Sequence, residues 1–265
     1  MNERKLMVCM CTRNRAKRML PAIKSILDQT YSWFEFTIIN DASEDNTEQV
    51  LSQCAAQDKR IKIITMNTHN FITARNLMLL NGDAEYIAIM DSDDVCSPNR
   101  LELQVKYLDE HPDIDVVGCK IKFGKKASQF RIPNSEKSWG HEYFDEQLKK
   151  GENISMLTTF ATIMIRKSTI DRIFKNNIYF YPEMQNGGED QMFLYVLYLN
   201  GAKFANIPEA TYLYNYLEDE NSISASVGKH FNNENFIFKY IHDKPIDERL
   251  TKVKELYDKY ENYKW

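Results

Sequence analysis

The 265-residue sequence has no excess of positive charge: 34 Lys and Arg stand against 38 Asp and Glu, a net charge of −4. The broad basic footprint of a nucleic-acid binder is missing, so no nucleic-acid partner is expected and a polyanionic ligand needs local neutralisation. Its five cysteines, Cys9, Cys11, Cys54, Cys96 and Cys119, include no C-x-x-C pair. That excludes a disulfide framework and a zinc knuckle and points to a reducing cytoplasm. Long apolar runs are also lacking. Residues 6–11 are too few for a signal-peptide core, and residues 193–199 fall far short of the about 20 that a membrane span needs. The histidines at 69, 111, 141, 230 and 242 show no metal spacing and read as surface or core residues. Repeats and low-complexity segments are absent from the sequence.

What remains is an ordinary globular composition, 43% hydrophobic and 27% charged, with strands and helices in alternation. Residues 6–11 are continuously apolar, as in a strand buried on both faces. Met19, Leu20, Ile23, Ile26 and Leu27 then recur at helical spacing. Further strands are expected over 36–39, 61–65, 86–90 and 114–119. Helices are expected over 47–56, capped by Asp45 and Asn46, over 73–80, and from Ser97 and Pro98 to His111. This alternation implies right-handed crossovers and a doubly wound, mostly parallel α/β sheet, which binds ligands beyond the carboxyl ends of its strands. Those ends carry Thr12 to Asn14, Asn40 with Asp41, and Asp91 to Asp94. Beyond Cys119 the period is lost: 120–150 reads as a long loop, 158–165 as a strand, and 190–200 as a buried helix stopped by Gly201. The tail, 236–265, reads as a packed terminal helix in preference to an interfacial one.

The run Asp91, Ser92, Asp93, Asp94 places three carboxylates in four residues at a strand terminus. They repel one another unless water solvates them or a cation sits among them, and hard oxygen ligands suit magnesium or manganese. An EF-hand is discounted, because Val95 cannot ligate at the fifth position and Cys96 replaces the turn glycine. A haloacid dehalogenase-type phosphohydrolase, with Asp91 as nucleophile, also has two aspartates after an apolar strand, but its Gly-Thr is missing at Asp94 and Val95. A third use is a glycosyltransferase site in which a divalent ion bridges aspartate and diphosphate. The second acidic motif is Gly187, Gly188, Glu189, Asp190 at the start of the apolar helix; taken alone it reads as a helix cap.

Over 5–224 the sequence resembles the family 2 inverting glycosyltransferases of GT-A fold. Thr12, Arg13, Asn14 followed by 22–31 (A-I-K-S-I-L-D-Q-T-Y) match its first block; 34–47 (F-E-F-T-I-I-N-D-A-S-E-D-N-T) match its second; Ala74, Arg75, Asn76 match its A-R-N signature. The resemblance implies that Cys11, Thr12 and Arg13 lie beside the base, that Asp41 hydrogen-bonds the uracil of a UDP-sugar, and that Arg75 lies near the nucleotide or phosphates. It further implies that Asp91, with Ser92, lies on the ribose side, that Asp93 is the metal ligand, and that Asp190, neighboured by Glu189, takes the proton of the acceptor hydroxyl in a single inverting displacement.

The sequence departs from the pattern at Cys11 (often Pro), Asn40 (often Asp) and Asn70 (often Gly, for which Asn is a mild change because it tolerates left-handed backbone). Residues 212–224 resemble the closing block without its basic residue, and no Q-x-x-R-W motif is present, which points to single-sugar addition. Tyr179, Tyr181, Met184 and Trp139 read as packing residues before acceptor-stacking ones. The expected organisation is a nucleotide-sugar-binding half (1–118), an acceptor-binding half (119–226) and a helical tail (227–265). The expected activity is metal-dependent transfer of one sugar from a nucleotide-diphospho-sugar, expected to be a UDP-sugar, to a glycan or lipid-linked acceptor, as in bacterial surface polysaccharide assembly, in the cytoplasm, with peripheral contact at the inner face of the membrane left open. The rivals are the phosphohydrolase and a noncatalytic sugar-nucleotide-binding module.

Overall fold

The computed structural model describes residues 5–16, 18–80, 83–123, 132–185, 187–214 and 244–261. In chain order the elements begin β1 (Leu6–Thr12), α1 (Leu20–Leu27), β2 (Phe34–Asn40), α2 (Thr47–Gln57), β3 (Ile61–Thr65), α3 (Phe71–Leu80), β4 (Tyr86–Asp91), β5 (Val95–Cys96), α4 (Arg100–Glu110) and β6 (Val116–Phe123). They continue α5 (His141–Lys149), α6 (Ile154–Leu157), β7 (Met164–Arg166), α7 (Lys167–Ile173), α8 (Glu189–Leu199), β8 (Phe204–Tyr214) and α9 (Ile246–Glu261).

The strands form one sheet in the order β3-β2-β1-β4-β7-β6-β8-β5. β3, β2, β1 and β4 are mutually parallel; β7 runs antiparallel to both β4 and β6, after which β6 and β8 pair in parallel. Alternation along β1 divides the core. Leu6, Val8 and Met10 pack with Ile23, Leu51 and Leu101 on the face covered by α1, α2 and α4. Met7 and Cys9 pack with Met78, Phe144, Phe193 and Val253 on the face covered by α3, α5, α8 and α9. With both faces covered, the strands read as unbroken apolar runs. The register sets Thr12 opposite Asn40 and Cys11 opposite both Ile39 and Asp91. The carboxyl ends of β1, β2 and β4 therefore stand level. The boundary proposed at 118/119 lies within β6, so both halves share this sheet.

The structure differs from several expectations. Residues 120–150 are not one loop: β6 continues to Phe123 and α5 packs Phe144 and Leu148 into the core. Two apolar anchors in a polar helix give too weak a period to stand out. Within 158–165 only Met164 and Ile165 are strand, preceded by a 3₁₀ turn at Phe160–Thr162, because a short buried apolar run has no periodicity to separate the two. β8 was missed since Pro208 and Glu209 interrupt its pattern; the ladder skips them at a register shift beside Cys119 and Lys120. Gly201, at φ 76°, does end α8, its N–H bonding Tyr198 O and the next N–H reaching Leu197 O, a Schellman closure. The tail's α9 is packed, burying Val253, Leu256 and Tyr260; 236–243 and 262–265 lie outside the described residues.

Candidate active site

Two turns build the first wall. After β1, Asn14 takes a left-handed φ of 52°, and after β2 Ala42 takes one of 47°. Asn14 N–H donates to Ser43 Oγ at 3.0 Å, Asn14 Oδ1 accepts from Glu44 N–H at 2.8 Å, and Arg13 pairs with Glu44 at 2.9 Å. Asp45 Oδ1 caps α2 at Thr47 N–H (2.9 Å), and against some burial the hydrogen bonds from the Thr47 hydroxyl and then its N–H hold the carboxyl below its ordinary value. Asn46, expected to share that cap, makes no capping bond.

Asp41 follows β2 and is buried. Its Oδ1 accepts from Asn70 N–H at 2.9 Å and its Oδ2 lies 2.7 Å from His69 Nδ1. Nothing in its spacing distinguishes His69 from a surface or core histidine, yet the β3–α3 turn brings it onto Asp41. Asn70 is not left-handed. Its Oδ1 accepts from Thr73 N–H at 2.9 Å and so caps α3, a task glycine cannot perform.

Arg75, on α3, is the electrostatic centre. Buried beneath the strand ends, its Nη2 lies 3.5 Å from Asp91 Oδ1 and 3.7 Å from Glu189 Oε1. Its guanidinium also stands 5.1 and 5.2 Å over the rings of Phe71 and Phe160. The acidic neighbours hold its charge more firmly than usual, against the cost of burial. Its Nε and Nη1, both buried, have no hydrogen-bond partner among the described residues, so the donor capacity of this cation is not filled by the protein. Cys11 shares the space: its thiol bonds Ala74 O at 3.4 Å, and burial pushes it up to about 12, so it is inert at neutral pH.

Asp91 ends β4 and its N–H donates to Tyr212 OH at 3.1 Å. Tyr212 in turn lies under Arg100, a fully buried cation whose Nη2 donates to Ile89 O at 2.8 Å. Sequence reading missed this support, because nothing in a helical arginine's spacing announces a buried one. Ser92 is buried, and Asp93 Oδ2 pairs with Arg15 Nη1 at 3.1 Å. Burial and then repulsion from Asp91 raise Asp93's carboxyl above its ordinary value. A second cation near that carboxylate is thus electrostatically favoured. Among the described residues no three His, Cys, Asp or Glu side chains gather to hold a metal. The donor set fits a magnesium- or manganese-type ion held by one or two carboxylates, with phosphate oxygens and water supplying the rest.

The opposite wall is the start of α8. Gly187 and Gly188 take φ values of 99° and 88°, a backbone that other residues rarely adopt. Glu189 is buried against Arg75, and burial, then repulsion from Asp190, raise its carboxyl to about 7. Asp190 is more accessible than Glu189, and burial raises it too, against the hydrogen bond its Oδ1 accepts from Gln191 N–H at 2.7 Å. Asn76 secures this wall to α3: its Nδ2 donates to Phe180 O at 2.9 Å, and its Oδ1 accepts from Tyr179 and Phe180 N–H at 2.7 and 3.0 Å. Tyr179, Tyr181, Met184 and Trp139 are all core residues. Of the closing block, 215–224 lie outside the described residues.

All the sequence-selected groups thus stand at or beside one end of the sheet. Comparison with known proteins bears on the family and the fold. The model of the family described as "Glycosyl transferase family 2" matches residues 7–173. An uncharacterised glycosyltransferase of Rickettsia conorii is 30% identical over 72% of this chain and 29% of its own length. TarP of Staphylococcus aureus, a poly(ribitol-phosphate) beta-N-acetylglucosaminyltransferase, is 28% identical over 97% of this chain and 78% of its own. The chain thus spans under a third of the length of that Rickettsia relative. Among solved structures, S. aureus TarS 1–349 with UDP-GlcNAc superposes with a TM-score of 0.69 at 23% identity, over 83% of this chain and 61% of that one. A Pyrobaculum calidifontis mannosyltransferase with GDP-Man and Mn²⁺ gives 0.65 at 16% identity, over 96% and 69%. With motifs, fold and family model in agreement, the chain belongs to glycosyl transferase family 2 and has its GT-A fold.

Proposed function

We propose that the chain transfers a single sugar from a UDP-sugar to an acceptor hydroxyl, inverting the anomeric centre, with Asp190 as general base. The observation that carries this reading is the position of Arg75, between Asp91 on the donor side and Glu189, next to Asp190, on the other. One buried cation spans the strand ends where a diphosphate would lie and the helix start where an acceptor would enter.

The roles follow from accessibility and charge. Asp190, the more open of the two acids, meets the acceptor; its raised carboxyl makes it a better base than a free aspartate. Glu189, buried beside Arg75, holds that guanidinium in place. Asp41 accepts from the base N–H, Thr12 and Arg13 line the base, and Asp91 with Ser92 bounds the ribose side. Arg75 supplies positive charge beside the diphosphate. Asp93, with Asp91 beside it, would hold a divalent cation, which when bound neutralises charge on the departing diphosphate. Asp91 is engaged with Arg75, which together with the family match disfavours the phosphohydrolase reading. The five free thiols support a reducing compartment, and we place the reaction in the cytoplasm. Among the described residues no helix is long and apolar enough to cross a membrane.

TarP and TarS make UDP-GlcNAc the first donor to try, and poly(ribitol-phosphate) the first acceptor beside lipid-linked oligosaccharides. A thermal-shift panel of UDP, GDP and dTDP, with and without MnCl₂, tests the donor site, since a ligand that binds only the folded chain raises its melting temperature. Stabilisation by UDP that grows with Mn²⁺ is expected. Stabilisation by GDP in preference contradicts the assignment of Asp41.

A further inference from the structure

The side chain of Asp41 is only 4% exposed, whereas that of His69 beside it is 52% exposed. A carboxylate offers acceptors only, so His69 Nδ1 carries the hydrogen and donates to Oδ2 across 2.7 Å, while Asn70 N–H donates to Oδ1 across 2.9 Å. Each oxygen therefore already holds one donor, and the carboxylate is fixed in orientation from both sides. No other hydrogen bond to Asp41's carboxylate is made among the described residues.

Nucleobases differ in what they ask of such a group. Guanine presents two adjacent donors, its ring N–H and its amino group, and a carboxylate reads it by giving one free oxygen to each. Uracil presents one imide N–H between two carbonyls, which needs a single acceptor flanked by donors. A carboxylate that already holds one donor on each oxygen, and so is fixed in rotation, fits the second pattern better than the first.

We propose that His69 sets the base selectivity of this chain: with Asn70 N–H on Oδ1, its bond to Oδ2 fixes the rotation of the Asp41 carboxylate, so that the lone pairs left over suit a single imide N–H better than guanine's pair of donors. His69 is a positioning residue, acting through Asp41, and the inference rests on Asp41 being the base acceptor. The neighbours in the fold include both UDP-GlcNAc and GDP-Man complexes, so the fold does not dictate the base.

The test is calorimetric titration of UDP and of GDP, in MnCl₂, into the full chain and its His69→Ala and His69→Asn variants, with melting temperatures recorded alongside. The wild type should prefer UDP. His69→Ala should narrow the UDP:GDP ratio about tenfold, the worth of one charge-assisted hydrogen bond. His69→Asn, whose Nδ2 takes the place of Nδ1, should restore the ratio. A wild type with no preference for UDP overturns the reading of Asp41 and the inference with it. A UDP-selective wild type whose ratio survives His69→Ala overturns the role of His69 alone.

Discussion

Glu189→Gln isolates the electrostatics of the site from its chemistry. Burial, then repulsion from Asp190, raise the Glu189 carboxyl from 4.5 to about 7, with Arg75 offsetting part of the effect. Between those values the folded chain keeps a proton that the unfolded chain has released, so stability declines as pH rises through the window. At roughly 1.4 kcal/mol per pH unit, the loss reaches about 3 kcal/mol by pH 7 and is absent below pH 4.5. Glutamine does not titrate, and the variant should lack this slope. Urea unfolding in EDTA at half-unit steps from pH 4.5 to 7.5 should show the variant gaining on the wild type by about 3 kcal/mol across the range. Parallel curves would refute the reasoning, since they mean that Glu189 ionises in the folded chain as it does in water.

Arg75→Met keeps the buried volume and removes the charge. Leaving Asp91 and Glu189 without their cation should cost about 3 kcal/mol at pH 8 and less at pH 5, where Glu189 holds its proton; urea unfolding at the two values reads the difference. Asn76→Ala strands two N–H groups and one carbonyl of 179–180, at about 1–3 kcal/mol for each buried group. Its melting temperature should fall and its KM for acceptor rise more than that for donor. Gly118→Ala puts a methyl 2.7 Å from Thr158 Oγ1 in the ideal geometry. A loss of about 1–3 kcal/mol is expected from that overpacking, with UDP affinity unchanged.

Much of the donor side was legible because its signals are local. The apolar run before Thr12 and the Asp91–Asp94 cluster each combine a buried strand with polar residues past its end, and the parallel register then levels those ends. The links between them were not legible. Arg15 on Asp93, His69 on Asp41 and Asn76 on Tyr179 and Phe180 join residues 28 to 104 positions apart or on separate turns, and one sequence carries no trace of such pairings. The second half was obscured for a different reason: α5 is mostly polar, β7 is three residues long, and β8 contains a proline, so neither period stood out.

Asp190→Asn, measured both for UDP-sugar turnover and for UDP binding in Mn²⁺, bears most directly on the central claim. Loss of a positioned base lowers the rate by roughly 10²–10⁴-fold, and the amide leaves the nucleotide contacts in place. The account predicts that turnover collapses while the UDP dissociation constant stays within about twofold, a change of under 1 kcal/mol. Turnover equal to that of the wild type would contradict it.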